Sequence, residues 1–337
     1  MSNEGQTPDL SGDRGFRTVR ESTYKYALAT CAVLSVLTTV GIIAVLVLDA
    51  VEFFSVIPPL DFLTGTTFSP SREPVSFGVL PLVLGTMLIT FGAGVIALPI
   101  GLLTAIYLSE YASARTRSVL KPMLEVLAGV PTVVYGYFAI VYITPALNTV
   151  IGGINGTLGT QFPTLGLFNG LSASIVVAIM IIPMVSSISE DAMSSVPDSL
   201  RQAGYGLGAT KFNVSLRVVV PAAVSGIASS FILAISRAIG ETMAVVIAAG
   251  TQPPDIPPVE TAFGIIPYMS PGALLSLYSE SAATMTVAIV NISGSDIAGG
   301  STAYQSLFAI GLTLFAITLV MNVVSDLIAS RYREEYE

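Results

Sequence analysis

Six apolar runs, each about long enough to cross a hydrocarbon layer, dictate what this chain can become. They lie near Tyr26 to Leu48, Leu80 to Leu108, Leu127 to Val150, Leu171 to Ile188, Val218 to Ala249 and Leu307 to Ile328. A bilayer core of ~30 Å takes about 20 helical residues to span. Inside it every backbone N–H and C=O must bond within its own segment, which an α-helix achieves. The expectation is an all-α polytopic membrane protein with six transmembrane helices. Charged residues make up only 11% of the chain, against roughly 25% in soluble domains. The first run is no cleaved signal peptide: it is too long and leads directly into Asp49 and Glu52.

Positive charge then orients the spans. Arg14, Arg17, Arg20 and Lys25 precede the first; Arg115, Arg117 and Lys121 lie between the second and third; Arg201, Lys211 and Arg217 lie between the fourth and fifth; Arg331 and Arg333 follow the sixth. Of 14 Lys and Arg residues, Arg72 and Arg237 alone fall outside these segments. Since basic loops stay on the cytoplasmic side, both termini are expected there, in a cell (plasma) membrane. The organisation predicted is a disordered cytoplasmic tail over 1–25, a first helix over 26–48 and an external loop over 49–77. A core over 78–330 follows, carrying a cytoplasmic loop at 189–217 and an external loop at 250–306, and a short cytoplasmic tail closes the chain at 331–337. The stretch Phe263 to Tyr278 is too short and too interrupted by Pro267 and Pro271 to be a seventh span.

Composition excludes whole classes of chemistry. With no His and the single Cys31, histidine-based acid/base work, internal disulfides and multi-cysteine metal sites are ruled out. No cofactor or metal is expected on this chain. A net charge of −8 with three lysines, Lys25, Lys121 and Lys211, gives no surface for nucleic acid and suits the dense screening of a halophile's cytoplasm. Asn155-Gly156-Thr157 and Asn291-Ile292-Ser293 are glycosylation sequons in external loops. Pro99 with Gly101, Pro131 with Gly136, and Pro183 interrupt three spans. Such breaks serve either helix packing or a wet cavity.

The fifth run holds an anomaly. Arg237 and Glu241 are its sole charges, four residues apart in SRAIGETMAV, and a charge in hydrocarbon costs at least ~2.5 kcal/mol. On one continuous helix the two side chains meet on one face. Either they neutralise each other, or Arg237 offers its planar donor fork to an anion while Glu241 restrains it. Ser236 and Thr242 add hydroxyls beside them. A helix entering the bilayer at Pro221 would carry Arg237 roughly 24 Å across, into the outer half, where it could also snorkel outward; if its first turns project into the cytoplasm, Arg237 moves toward the midplane.

The segment before that run is the most specific. Val196-Pro197-Asp198-Ser199-Leu200 reads as a turn into a short helix; Gly204, Gly206 and Gly208 loosen or end it, and Pro221 fits the first turn of the next helix. The stretch resembles the EAA loop of binding-protein-dependent ABC transporter permeases: Gln202, Ala203 and Gly204 stand at the Glu-Ala-Ala positions, Gly208 at the glycine, and Val218, Val220 and Pro221 at the closing motif. It departs from the pattern at Gln202 and Gly204. FLTGTTFSPSREPVSFGVLPLVLGT, LPIGLLTAIYLSEYA, LKPMLEVLAGVPTVVYGYFA and RAIGETMAV are similar to the corresponding stretches of phosphate permeases of the PstC type, from about Asp61 to Arg331.

This resemblance implies a MetI-like permease core preceded by one extra N-terminal helix. It implies a non-catalytic subunit that pairs with a sister permease, two ATPase subunits and an extracytoplasmic phosphate-binding protein. The loop over Leu200 to Lys211, with Leu200 or Leu207 as apolar anchor, would dock in the ATPase. ATP would be used by that partner, because no G-x-x-x-x-G-K-[ST] occurs here and the glycines from Gly204 to Lys211 do not supply one. A secondary anion carrier or channel, or an ABC permease for another oxyanion, is the alternative.

Overall fold

In this computed structural model the described residues are 14–257, 260–262, 266–268 and 270–331. Helices dominate, as apolar segments without water to bond their backbones require. The first, α1 (Arg14–Val56), is 43 residues long and runs past its apolar stretch at both ends. The expected disordered tail is thereby corrected over residues 14–25, which are helical; residues 1–13 lie outside the described set. Side chains of α1 from Arg20 onward are mostly exposed, as suits a helix bathed in lipid. Its end is anchored by aromatic rings: Phe53 meets Phe62 on α2 (Pro59–Thr64) edge to face, with ring centres 5.5 Å apart. Phe53 also meets Phe77 in the same way. Phe77 belongs to a small hairpin of β1 (Phe68–Ser69) and β2 (Ser76–Phe77), paired Phe68 to Phe77 and Ser69 to Ser76.

The next helix, α3 (Leu80–Ile106), continues through Pro99 and ends in a π-helical turn at Tyr107–Tyr111. After it, α4 (Ala114–Ala128) begins at Ser113, whose hydroxyl accepts from Thr116 N–H at 3.1 Å. The expected third span, Leu127 to Val150, is corrected here. Pro131 lacks an N–H and disfavours helical geometry at Val130, so the chain breaks there. The span is instead Thr132–Leu158, made of α5 (Thr132–Phe138), a π-helical turn at Ala139–Ile143, and α6 (Thr144–Leu158).

The central helix is α7 (Gly170–Ser194), started by Asn169, whose side chain accepts from Ser172 N–H at 2.8 Å. It packs along α3. Small residues set that approach: a Cβ on Gly101 would come within 2.6 Å of Val185 Cβ. Between membrane helices such close packing supplies the attraction that hydrophobicity cannot. Pro183 lies within α7 without ending it.

The expected fifth span is broken into pieces. α8 (Asp198–Gly206) is followed by α9 (Lys211–Val214), a π-helical turn at Ser215–Val219 and α10 (Val220–Ala222). At Ala223 the chain turns by 71° into α11 (Val224–Ile239). It breaks again at Gly240 to Thr242, before α12 (Met243–Ala248).

Beyond this, β3 (Glu260–Ala262) and β4 (Ile266–Tyr268) form an antiparallel pair. α13 (Pro271–Ser279), α14 (Met285–Ser293) and α15 (Thr302–Arg331) complete the chain. The region expected to be an external loop, 250–306, is therefore partly built into the bundle: Leu277, Met285, Val287 and Ile292 are buried. It adds no seventh span. Among the described residues five helices are long and apolar enough to cross a membrane, or six if the bent pair at Ala223 counts as one. The larger core lies along α3, α7, α12 and α14, and a smaller one around Ala105, Met193, Val196, Val214, Val219 and Ile227. The smaller core sits at the end of the bundle carrying Arg115, Arg117, Lys121, Arg201, Lys211 and Arg217, called here the basic end.

Candidate functional site

The second break in the fifth span separates the two charges that sequence placed on one face. α11 ends at Ile239, with Arg237 in its last turn. Glu241 lies beyond that end, 8% exposed, and its carboxylate accepts from Ala244 N–H at 3.1 Å at the start of α12. No ion pair among the described residues includes Arg237. The expected contact on a shared face is corrected for a physical reason: the unbonded N–H groups of α12 claim the carboxylate that an unbroken helix would leave to Arg237. Thr286 Oγ1 donates to Glu241 O at 2.9 Å, holding the break against α14. The far end of α12 is held too, since Asn169 N–H donates to Ala248 O at 3.0 Å.

Arg237 is exposed on the surface of this chain. Beside it Ser236 is half-buried and donates to Asn322 Oδ1 on α15 at 2.8 Å. Thr242 sits in the break, its hydroxyl 3.2 Å from Gly240 O. Depth follows from a cross-link lower down, where Ser230 and Ser189 share a hydrogen bond of 2.7 Å between α11 and α7. Ser189 stands where α7 meets its charged end at Glu190 and Asp191. Arg237 is a further two turns along, about 10 Å at 1.5 Å per residue. The distance from Gly170 to Ser189 is about 28 Å on the same rise, so Arg237 lies a little over a third of the way across from the basic end. The 71° turn at Ala223 takes α10 out of line with α11, so a rise counted from Pro221 does not give the depth of Arg237.

The basic end holds a second constellation that sequence reasoning missed. Glu190 is fully buried at the end of α7 and is held by Arg117 and by Lys121 Nζ, the latter at 2.8 Å, both from α4. Lys121 also reaches Asp191 at 2.6 Å. Glu110, in the π-helical turn that ends α3, accepts from Arg201 Nη2 at 3.1 Å. Arg201 belongs to α8, and it further donates to Val196 O at 2.6 Å and Met193 O at 2.8 Å. Next to Glu110, the ring of Tyr111 lies under Lys211 Nζ at 5.0 Å, a cation–π contact. The lone signals were Glu110 at the end of a span and Glu190 beside Asp191; their partners lie far away in sequence.

The residues of the predicted docking loop divide into two faces. Leu200 packs against the smaller core, while Gln202 and Ala203 are exposed. Gly204 sits inside α8, with no more than 3.0 Å between a notional Cβ and Val214. Leu207 is 90% exposed, with Phe212 at 62% and Tyr205 at 43%. Gly208 carries φ +79°, the left-handed conformation glycine adopts freely. Lys211 starts α9, and Pro221 lies in the first turn of α10. Two anchors had been expected as equivalents; Leu200 turns inward and Leu207 outward.

Residues 97–334 match the family described as "Binding-protein-dependent transport system inner membrane component". The chain is 30% identical over 325 residues to the "probable ABC transporter permease protein YqgH" of Bacillus subtilis, covering 96% of this chain and 95% of that protein. It is 32% identical over 272 residues to the "phosphate transport system permease protein PstC" of Mesorhizobium japonicum, covering 78% and 76%. Among solved structures, it superposes on a subunit of a bacterial alginate ABC transporter with a TM-score of 0.60 at 11% identity, covering 94% of this chain and all of that one, a likeness of fold.

Proposed function

The chain belongs to the binding-protein-dependent transport-system inner-membrane components, and on that premise we propose that it is the permease subunit of an ATP-driven phosphate importer. Its termini and its basic end face the cytoplasm, following the placement of Lys and Arg. It pairs with a sister permease, two ATPase subunits and an extracytoplasmic phosphate-binding protein; ATP is used by the ATPase subunits. Support for phosphate comes from the relatives of the PstC type at about the same 30% level across most of the chain.

The observation that carries this reading is Arg237: a permanent cation, well inside the span, exposed on its own subunit and without a counter-ion among the described residues. Lipid is a poor neighbour for it. A wet path between two permease subunits is a good one, because the guanidinium fork matches a tetrahedral oxyanion with two parallel donors. Glu241, committed to α12, leaves that fork free, and Ser236 and Thr242 line the approach. The exposed Leu207 and Tyr205 face the ATPase, and Leu200 and Arg201 carry its closure to α3 and α7, so that the path opens alternately to each side.

Arg237→Gln tests this in proteoliposomes containing the assembled transporter and its binding protein. Phosphate uptake is expected to fall by more than ten-fold, since a charge-assisted bidentate contact is lost at ~1.4 kcal/mol per decade. Assembly with the ATPase subunits stays intact. Unchanged uptake would remove Arg237 from the path.

A further inference from the structure

At the end opposite the basic one, a cavity of about 530 Å³ opens between the β1–β2 hairpin, the start of α3, the segment 251–255 and α14. Thr67, Ser71, Gln252, Asn291 and Ser295 supply its wall with hydroxyl and amide groups, and Arg72 stands among them. Arg72 is singular in charge. Among the described residues it is the only basic one on this face, which carries Glu52, Asp61, Glu73, Asp255, Glu280 and Asp296. A cleft that gathers the one cation of an acidic surface focuses a positive potential where the rest of the surface repels anions. Pro70, Pro81, Pro253 and Pro254 also line it, and their fixed φ angles keep the wall in shape.

The cavity is joined to the break in the fifth span. Asn291 lines it from α14, and Thr286, lower on the same helix by about 7 Å at 1.5 Å per residue, donates to Glu241 O. One helix thus leads from the cavity to the residues around Arg237.

We propose that this cavity is an antechamber in which a hydrated tetrahedral oxyanion pauses after leaving the binding protein and before reaching Arg237. Its volume of about 530 Å³ is far above what a single water needs, so the anion keeps much of its hydration shell. Asp255 on the same wall opposes part of the attraction of Arg72. The site is therefore weak, as a station on a transit path has to be. The proposal rests on the importer reading and on the orientation given with it.

The test places a thiol in the wall. Ser295 is exposed and Cys31 is the chain's only cysteine, so Ser295→Cys on a Cys31→Ser background, in the assembled transporter, presents one new thiol in the cavity. Its rate of reaction with an anionic methanethiosulfonate reagent is measured with and without inorganic phosphate, against chloride at equal ionic strength. Phosphate at millimolar concentration is expected to slow labelling several-fold, Arg72→Gln to abolish that protection, and Arg237→Gln to leave it intact. Absence of protection, or protection that survives Arg72→Gln, overturns the antechamber. So does a result in which phosphate gives no protection and Arg72→Gln instead raises the half-saturating concentration of binding protein for uptake, which would make Arg72 a docking contact. Protection that persists while Arg237→Gln leaves uptake unchanged would support the antechamber and refute the pathway reading separately.

Discussion

Removing Arg201 should damage this protein more than removing Arg201 and the charge of Glu110 together. The pair is nearly dry: the side chains are 15% and 4% exposed, with Nη2 to Oε1 at 3.1 Å. In Arg201→Ala, Glu110 is left with the Ser109 hydroxyl at 3.2 Å, and the carbonyls of Met193 and Val196 lose the guanidinium's hydrogen bonds. Breaking a buried pair from one side costs about 3–5 kcal/mol, chiefly because the surviving charge stays buried and alone. At ~1.4 kcal/mol per decade, the attachment of α8 to α3 weakens by roughly two to three and a half orders of magnitude. Arg201→Gln with Glu110→Gln removes both charges and retains hydrogen-bonding groups, so its cost falls to about 1–2 kcal/mol. The assay compares ATP hydrolysed with phosphate imported in proteoliposomes, alongside thermal unfolding of the purified transporter. Arg201→Ala is expected to leave hydrolysis running while uptake per ATP drops at least ten-fold, with the double variant recovering most of the loss. If Arg201→Ala is no worse than the double variant in either measurement, the pair is not what ties α8 to α3.

Three further changes probe the packing and the two faces of the segment from Leu200 to Leu207. A Cβ on Gly136 would come within 2.8 Å of Ala244 O and Ile247 Cβ, so Gly136→Val should destabilise by about 1–3 kcal/mol through overpacking; because it pushes on α12, uptake should fall further than thermal stability suggests, and normal uptake would contradict the close approach. Leu207→Ser should leave the melting temperature unchanged, given 90% exposure, yet reduce recovery of the ATPase on co-purification. Leu200→Ala should do the reverse, lowering stability by about 2 kcal/mol or more because it opens the smaller core.

The spans were legible because lipid demands a simple signal, about 20 apolar residues per crossing, and α3 and α7 follow it closely. The short helix α8 and its end were legible because glycine and proline act locally: Gly208 does adopt a positive φ and α8 does end at Gly206. The breaks in the fifth span were hidden for the opposite reason. From Val218 to Ala249 the composition stays apolar, and an Arg and a Glu four apart look like helix neighbours. What decides the break is tertiary: Thr286 from α14 bonds Glu241 O, and Asn169 holds the far end of α12. The bounds of the third span were shifted by several residues because Pro131 had been noted but given too little weight. Glu110 and Glu190 escaped notice since a carboxylate at the edge of a span reads as solvated until its cation, 69 to 91 residues away, is brought to it.

The π-helical turns give the basic end an unusual kind of joint. Each of the turns at Tyr107–Tyr111 and Ser215–Val219 stores an extra residue compared with α geometry. They flank α8, one bearing Glu110 and Tyr111, the other following α9. Returning one such turn to α geometry reels in a single residue and swivels whatever follows by about 100°, the angle between neighbours on an α-helix. The spans can thus be geared to rotate in discrete clicks, with their hydrogen-bond ladders whole before and after, rather than to tilt by degrees.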